Sequence, residues 1–504
     1  MRDEPAKDQR GLGGLVVRGV AWIAASQGAI QLVSLITSIV VARLLTPSEV
    51  GLAAMAIVFV NLALLLADAG LASALVQRQE LTEDDKSSAF WASIALGAAL
   101  TLLGVALSGP IADLYGEPEV QGLFAALSLT FLLTAPGIVQ GALLTRELRF
   151  RSLEVRTIVA TAASSVVAIA LATSGAGPWA IVGQHLAITA VSSALLWRSS
   201  TWRPRWRFSW ERCRDLAQFG THVAGTRTFT WLTQNVDNLL VGRFLGAAQL
   251  GAYSIAYNLM LTPVTRLAGP ITHVLYPAFS RLRDPAPIAR VWLRGVRLVA
   301  VVAAPAMLGM CVVAPEFVEV VFGPQWHESA SVLRILAPLG LVRALQAPSY
   351  GVLQALGQTR RMVRFTAVAS VVSVAAFAAG LPWGIEGVAA ALLAVSLVLE
   401  PIFLRLTTRA AGISIRTWLA SITGVMQAAV AMLLVVLVAH EGLIRAGLAT
   451  GLRLLLAIVV GALVYVPLLL WRSPDVTADL RAALAARRRG GEGASVPEEP
   501  EPLI

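Results

Sequence analysis

Charge is what this sequence has least of. Only 14% of its 504 residues are Asp, Glu, Lys or Arg, whereas 57% are hydrophobic and mean hydropathy is +0.72. A soluble domain carries roughly 25% charged residues, so this chain lacks the means to cover a water-facing surface. A soluble enzyme and a disordered chain are both excluded. Two cysteines, Cys213 and Cys311, are too few for a disulfide framework. Lysine occurs twice, at Lys7 and Lys86, and neither stands in GxxxxGK[ST], which excludes ATP hydrolysis through a P-loop. The histidines, His185, His222, His273, His327 and His440, are too scattered for a zinc motif such as HExxH. The longest segment expected on the outer side of the membrane, about 315–329, is short, which argues against a membrane-bound sugar polymerase or ligase. No metal or cofactor is expected, and no enzyme activity.

What the chain has instead is apolar blocks, each near the roughly 20 residues that a helix needs to cross a bilayer. Fourteen spans are predicted, at 19–42, 50–70, 88–108, 119–144, 155–174, 177–197, 216–242, 250–275, 296–314, 330–356, 362–381, 384–404, 417–440 and 450–471. No cleavable signal is expected ahead of the first. The net charge of +10 raises the question of nucleic acid, but in a membrane chain the distribution of cations decides. With a cytoplasmic N-terminus, 32 of the 40 basic residues fall in cytoplasmic segments, and the outer loops hold only Arg43, Arg243 and Arg445. The alternation holds at every loop. It predicts an even number of spans with both termini cytoplasmic, a basic face that meets anionic lipid, and no nucleic acid partner.

A repeat is visible at a spacing of 200 residues. VARLLTPSEVGLAAMA from Val41 lies over VGRFLGAAQLGAYSIA from Val241, with identities at 41/241, 43/243, 45/245, 51/251 and 56/256. Both copies begin on the same side, so the expected architecture is a parallel repeat of two six-helix lobes. The predicted layout is a cytoplasmic N-terminus (1–18), an N-lobe (19–197), an interfacial linker (198–215), a C-lobe (216–404), two further helices (405–471) and a disordered cytoplasmic tail (472–504). The linker places Trp202, Trp206 and Trp210 four residues apart among arginines, which suits an element in the headgroup layer, although Pro204 confines any helix to its later part.

An ionisable group in hydrocarbon is costly and usually faces a wet cavity. In the first span Gln27, Gln31, Ser34 and Ser38 share one face at helical period, and the positions 200 residues on are Arg227, Trp231, Gln234 and Asn238. Two repeat-related polar stripes suggest a shared cavity; interhelical hydrogen bonding is the plainer alternative. Arg266, between Pro263 and Pro270, and Arg343, between Pro338 and Pro348, add deep cations on helices expected to kink. With few acids in the spans, Arg227, Arg266 and Arg343 describe an electropositive cavity suited to an anion such as phosphate, which guanidinium forks match. Arg334 and Arg453 sit near helix ends and are expected to snorkel. Arg43 and Arg243 are candidates for an outer gate with Glu49 or Asp237, against simple snorkelling or turn contacts.

Four stretches carry a family resemblance: residues 41–85 (VARLLTPSEVGLAAMA through LTEDD), ELRFRSL at 147–153, VDNLLVGRFLGAAQLGAYSIAYNL at 236–259 and FGPQW at 322–326. Through most of 15–410 the sequence resembles the Wzx-like polysaccharide flippases of the multidrug/oligosaccharidyl-lipid/polysaccharide exporter superfamily. The resemblance implies two six-helix bundles in a V around a central cavity, with two extra helices. It implies translocation of polyprenyl-diphosphate-linked oligosaccharide between leaflets of the bacterial inner membrane for surface polysaccharide synthesis, with polymerase and glycosyltransferase machinery as partners. The family has no fixed catalytic motif to transfer. A cation or drug antiporter of the same superfamily and a non-transporting membrane scaffold are the alternatives.

Overall fold

A computed structural model describes residues 26–211 apart from 69, 70 and 79, then 235–269, 271, 275, 279, 282 and 284–476. The described secondary structure is helical, without a strand, as hydrocarbon demands of an open chain whose amides must be satisfied within each segment. The helices are α1 (Ser26–Leu44), α2 (Pro47–Asp68), α3 (Leu71–Gln77), α4 (Glu83–Tyr115), α5 (Glu119–Arg146), α6 (Phe150–Thr173), α7 (Trp179–Ser199), α8 (235–245) and α9 (Ala247–Pro263). They continue as α10 (Pro285–Phe322), α11 (His327–Ala355), α12 (Thr359–Gly380), α13 (Gly384–Ala410), α14 (Ile415–Arg445) and α15 (Thr450–Arg472). Eleven described stretches are long and apolar enough to cross a membrane, with α12 and α13 counted as one through the 3₁₀ turn Leu381–Trp383. The seventh predicted span lies mostly outside the described residues.

Several helices outrun their predicted spans. α4 has 33 residues and α10 has 38, which at 1.5 Å per residue exceed a hydrocarbon core of roughly 30 Å. The reason is capping beyond the apolar window. Thr82 accepts from the Asp85 amide and Asp85 from the Thr82 amide, a capping box that starts α4 five residues before the predicted span. After Pro263 the α ladder gives way to a π turn, Val264–Ala268, the expected response to a proline that offers no amide.

By contacts the chain divides into two compact units, residues 1–255 with Val321–Glu328 and Val374–Val388, and Ala256–Val320 with Ser329–Ser373 and Ala389 onward. In the first, buried Asp85 holds Arg78 at 3.3 Å, and Arg146 donates to the carbonyls of Leu75 and Arg78, locking α3 to the start of α4 and the end of α5. The segment after α7 is a strap rather than a helix. Ser87 and Ser88 hydroxyls accept from the amides of Arg205 and Ser209, Trp202 donates to Glu83, and Trp206 stacks on Trp91 at 4.5 Å. The four-residue tryptophan spacing therefore does not mark a helical stripe over this stretch; Pro204 and the α4 hydroxyls hold it extended.

The repeat-related positions meet in the first unit. A Cβ on Gly51 would strike the Ala247 carbonyl, and a Cβ on Gly251 would strike the Pro47 carbonyl. α2 and α9 thus touch backbone to backbone near their first turns, which only glycine permits. Nearby, the Arg43 Nε donates to the Val321 carbonyl at 2.8 Å, while Gln325 and Trp326 donate to the Ala42 carbonyl at 3.2 and 2.8 Å.

In the second unit α14 and α15 are welded to α10. Trp292, Val296, Ala300, Ala303 and Met307 form one buried core with Ile422, Val425, Ala429 and Met432 of α14 and Ala457 of α15. Polar bonds pin the seam: Tyr465 Oη donates to the Val301 carbonyl at 2.7 Å, and Arg297 reaches the Ser421 carbonyl at 3.1 Å and Asp475 at 3.2 Å. Glu316, 4% exposed, meets His440 at 2.8 Å and Arg453 at 3.7 Å. Arg453 therefore does not simply snorkel; a buried carboxylate holds it, and its Thr450 contact at 3.2 Å closes the corner.

Two substitutions check these joints. Gly51→Val or Gly251→Val drives a side chain into an opposing carbonyl and lowers stability by about 1–3 kcal/mol, read as a lower melting temperature of the purified protein; Gly28→Ala, with nothing within 4 Å of its Cβ, leaves it unchanged. Arg453→Leu strips buried Glu316 of a partner and costs about 1–3 kcal/mol, and Glu316→Gln in the same chain restores part of the loss.

Candidate functional site

Within the first unit, α3, α5, α6 and α7 line an open cavity of about 830 Å³, a size typical of ligand pockets. Helical periodicity builds its walls. Thr134, Gly137, Ile138, Gly141 and Thr145 fall on one face of α5, and Ile188, Thr189, Ser192, Ser193 and Leu196 on one face of α7. The adjoining face of α5 carries Val139, Leu143 and Ala142, the last at the cavity's edge, which pack on Leu71, Ala74 and Leu75 of α3 and on Ala89 and Phe90 of α4. Glycine at 137 and 141 keeps the α5 wall low, and Trp197 donates to the Pro136 carbonyl at 3.0 Å, fixing the end of α7.

The second turn of α6 brings charge to this wall through Glu154 and Arg156. Glu154 Oε2 accepts from Ser26 Oγ at 2.7 Å and from Gln27 Nε2 at 3.3 Å, tying the start of α1 to the site. Arg156 donates through Nη2 to Thr157 Oγ1 at 3.1 Å, while its buried Nε has no partner. Thr134, Thr145, Thr157 and Thr189 donate their hydroxyl hydrogens to the carbonyls of Thr130, Gly141, Leu153 and His185, at 2.7 to 3.0 Å. Each hydroxyl proton is thereby engaged by its own helix.

Of the residues singled out from the sequence, Gln27 reaches this site. Gln31 and Ser34 are half-buried further along α1. Arg227 and Gln234 lie outside the described residues. Asn238 is half-buried on α8, and its amide donates to Asp237 Oδ1 at 2.8 Å. In the second unit, Arg266 is exposed on the π turn. Arg343 donates to Tyr257 Oη at 2.8 Å with its guanidinium 5.8 Å from that ring, and its charge acts on the Glu400 carboxylate. Glu400 has a buried, unpartnered Oε2. The expected gate residues have structural employment: Arg43 at Val321, Arg243 over the Phe244 ring at 5.7 Å, Glu49 capping its own helix through Thr46 at 2.7 Å, and buried Asp237 accepting from Tyr253 at 3.0 Å.

Acids in the helices stand beside cations. Glu154, Glu316 and Glu400 all lie inside them, and each has an arginine nearby in Arg156, Arg453 and Arg343. Glu154 and Arg156 escaped the sequence reading because the predicted span began at 155, which left Glu154 in a loop and counted Arg156 among the cytoplasmic cations. The usable signal was the hydroxyl spacing on the flanking helices.

Comparison with known proteins places this geometry. The family described as "Polysaccharide biosynthesis protein" matches residues 40–331. The chain is 29% identical over 343 residues to the lipopolysaccharide biosynthesis protein WzxC of Escherichia coli strain K12, covering 67% of this chain and 70% of that one. It is 30% identical over 323 residues to the succinoglycan biosynthesis transport protein ExoT of Rhizobium meliloti strain 1021, covering 64% and 65%. The lipid II flippase MurJ, in an inward closed conformation, superposes with a TM-score of 0.75 over 92% of this chain and 99% of its own, at 15% identity, a likeness of fold. With the family matched over more than half its length, this multi-pass membrane chain belongs to the polysaccharide biosynthesis protein family, the Wzx-like group that its sequence resembles.

Proposed function

We propose that the protein is a lipid-linked oligosaccharide flippase, moving polyprenyl-diphosphate-linked sugar units from the inner to the outer leaflet of the bacterial inner membrane by alternating access. The observation that carries this reading is a ligand-sized cavity whose largely apolar wall carries Glu154, Arg156 and a set of hydroxyls, in a chain of a family whose members include WzxC and ExoT. Family membership alone leaves the transported species open; the cavity supplies a place for a polar group between helices.

The finer features belong to the same proposal. The chain crosses the membrane fourteen times with both termini cytoplasmic, consistent with its distribution of arginine. Its two lobes are a parallel repeat, supported by the reciprocal contacts of 47 with 251 and 51 with 247, positions that correspond as 47/247 and 51/251 at the 200-residue spacing. Arg227, Arg266 and Arg343 hold the anionic diphosphate, and Gln31, Ser34, Gln234 and Asn238 line the path. Arg43, Arg243, Glu49 and Asp237 act at the outer gate. A membrane potential negative inside favours outward movement of an anion by roughly 2.3 kcal/mol per charge per 100 mV, so ATP is not needed in principle. Polysaccharide polymerase and glycosyltransferases are the expected partners, and the chain is not itself an enzyme.

Glu154 and Glu400 favour one second reading, a cation-coupled drug antiporter, because a carboxylate inside a helix is what a cation site uses. Deleting the gene separates the two. A flippase deletion loses surface polysaccharide and accumulates lipid-linked intermediates; an antiporter deletion keeps its surface polysaccharide and becomes sensitive to cationic dyes. Arg343→Ala and Arg266→Ala, each restored to the deletion strain at normal membrane levels, leave surface polysaccharide greatly reduced. Normal export by both variants removes these arginines from the substrate path.

A further inference from the structure

The α3–α5–α6–α7 cavity presents a chemistry that selects its occupant. Its four threonine hydroxyls have given their hydrogens to carbonyls of their own helices, so what they offer the cavity is lone pairs. Glu154 adds carboxylate oxygens, of which Oε2 is engaged by Ser26 and Gln27. Ser192 and Ser193 add two more hydroxyls. Against these acceptors stand fewer donors: one cation, Arg156, with the Gln77 amide and the two serine hydroxyls.

Three ligand classes meet this wall differently. A phosphate brings only acceptors and negative charge; it suits Arg156 but faces Glu154 and four hydroxyls with no hydrogen to give. A monovalent or organic cation suits the oxygens but must share the cavity with a guanidinium. A neutral polyol brings both donors and acceptors on adjacent carbons. Its hydroxyls donate to Glu154 and the threonines and accept from Arg156, leaving neither side of the wall unsatisfied.

The geometry points to this cavity as a glycan subsite, which holds one or more neutral sugar residues of the transported unit while the diphosphate and polyprenyl tail lie elsewhere. The inference rests on the flippase reading and adds a place and a recognition chemistry to it. Glu154 and Arg156 are its recognising pair, and Ser26 and Gln27 hold Glu154 in position.

The test uses the full chain in lipid nanodiscs with three probes: the oligosaccharide released by mild acid from the intermediates of the deletion strain, polyprenyl diphosphate, and sodium chloride. Gly141→Leu fills the cavity; the nearest atoms to its new Cβ are the Leu196 methyls at 3.9 and 4.0 Å, so the backbone need not shift. Glu154→Gln removes charge with little change of shape. The released oligosaccharide binds the wild type, and both variants weaken it by roughly tenfold or more while binding polyprenyl diphosphate as before. Equal oligosaccharide binding by wild type and both variants overturns the assignment, as does binding of polyprenyl diphosphate or sodium that the variants abolish. If Gly141→Leu does not accumulate in the membrane, Glu154→Gln decides alone. A deletion strain with normal surface polysaccharide and no intermediates instead sinks the flippase reading, and this subsite with it; loss of export on deletion, with variants that bind oligosaccharide normally, sinks the subsite only.

Discussion

A polar group surrounded by hydrocarbon has to find its partner inside the protein, and nearly every local feature described above answers that demand. Main-chain amides are satisfied by helices. Side-chain hydroxyls follow the same rule: Thr37, Ser93, Thr101, Ser128, Ser165, Thr407 and Thr423 each donate to the carbonyl four residues back. This back-bonding lets an apolar helix carry hydroxyls without orphaned hydrogens. Charges are handled by pairing, as with Glu316 among His440 and Arg453. The demand is left unmet at single atoms, among them Arg156 Nε, Glu400 Oε2, the Gln140 amide, Glu316 Oε2 and Arg453 Nε, and each such buried group in a native fold calls for an explanation.

Much of the fold was legible from composition because the bilayer reads the chain crudely. A run of apolar residues near twenty long is a helix whatever its details, and the spans at 119–144 and 450–471 lie within a few residues of Glu119–Arg146 and Thr450–Arg472. Boundaries set by specific bonds were not legible. The start of α4 depends on Thr82 and Asp85 finding each other, and the hydropathy of the first turn gives no hint of it. The Trp202, Trp206 and Trp210 spacing fits a helix, but Pro204 confines any helix to the later part, and the backbone is non-helical up to Ser209, where Ser87 and Ser88 hold it.

The candidate site was legible only in part. Gln27 was visible as one member of a stripe, but its partner Glu154 is 127 residues away, and a single sequence holds no record of that distance. Pattern reading favoured the rare arginines because they stood out against apolar surroundings. The cavity walls are made of threonine, serine and glycine, residues common throughout membrane helices, and only folding shows that those on α5 and α7 face the same space. Charge arithmetic likewise saw single cations where the structure has cation and carboxylate side by side.

The contact between α2 and α9 has the form of an isologous interface. Position 47 meets 251 and position 51 meets 247, so each partner presents the same short patch to the other, as two identical subunits do across a dimer axis. Carbonyl and glycine are main-chain features, so the contact rests on backbone geometry, and the side chains around it are free to vary as long as both glycines stay.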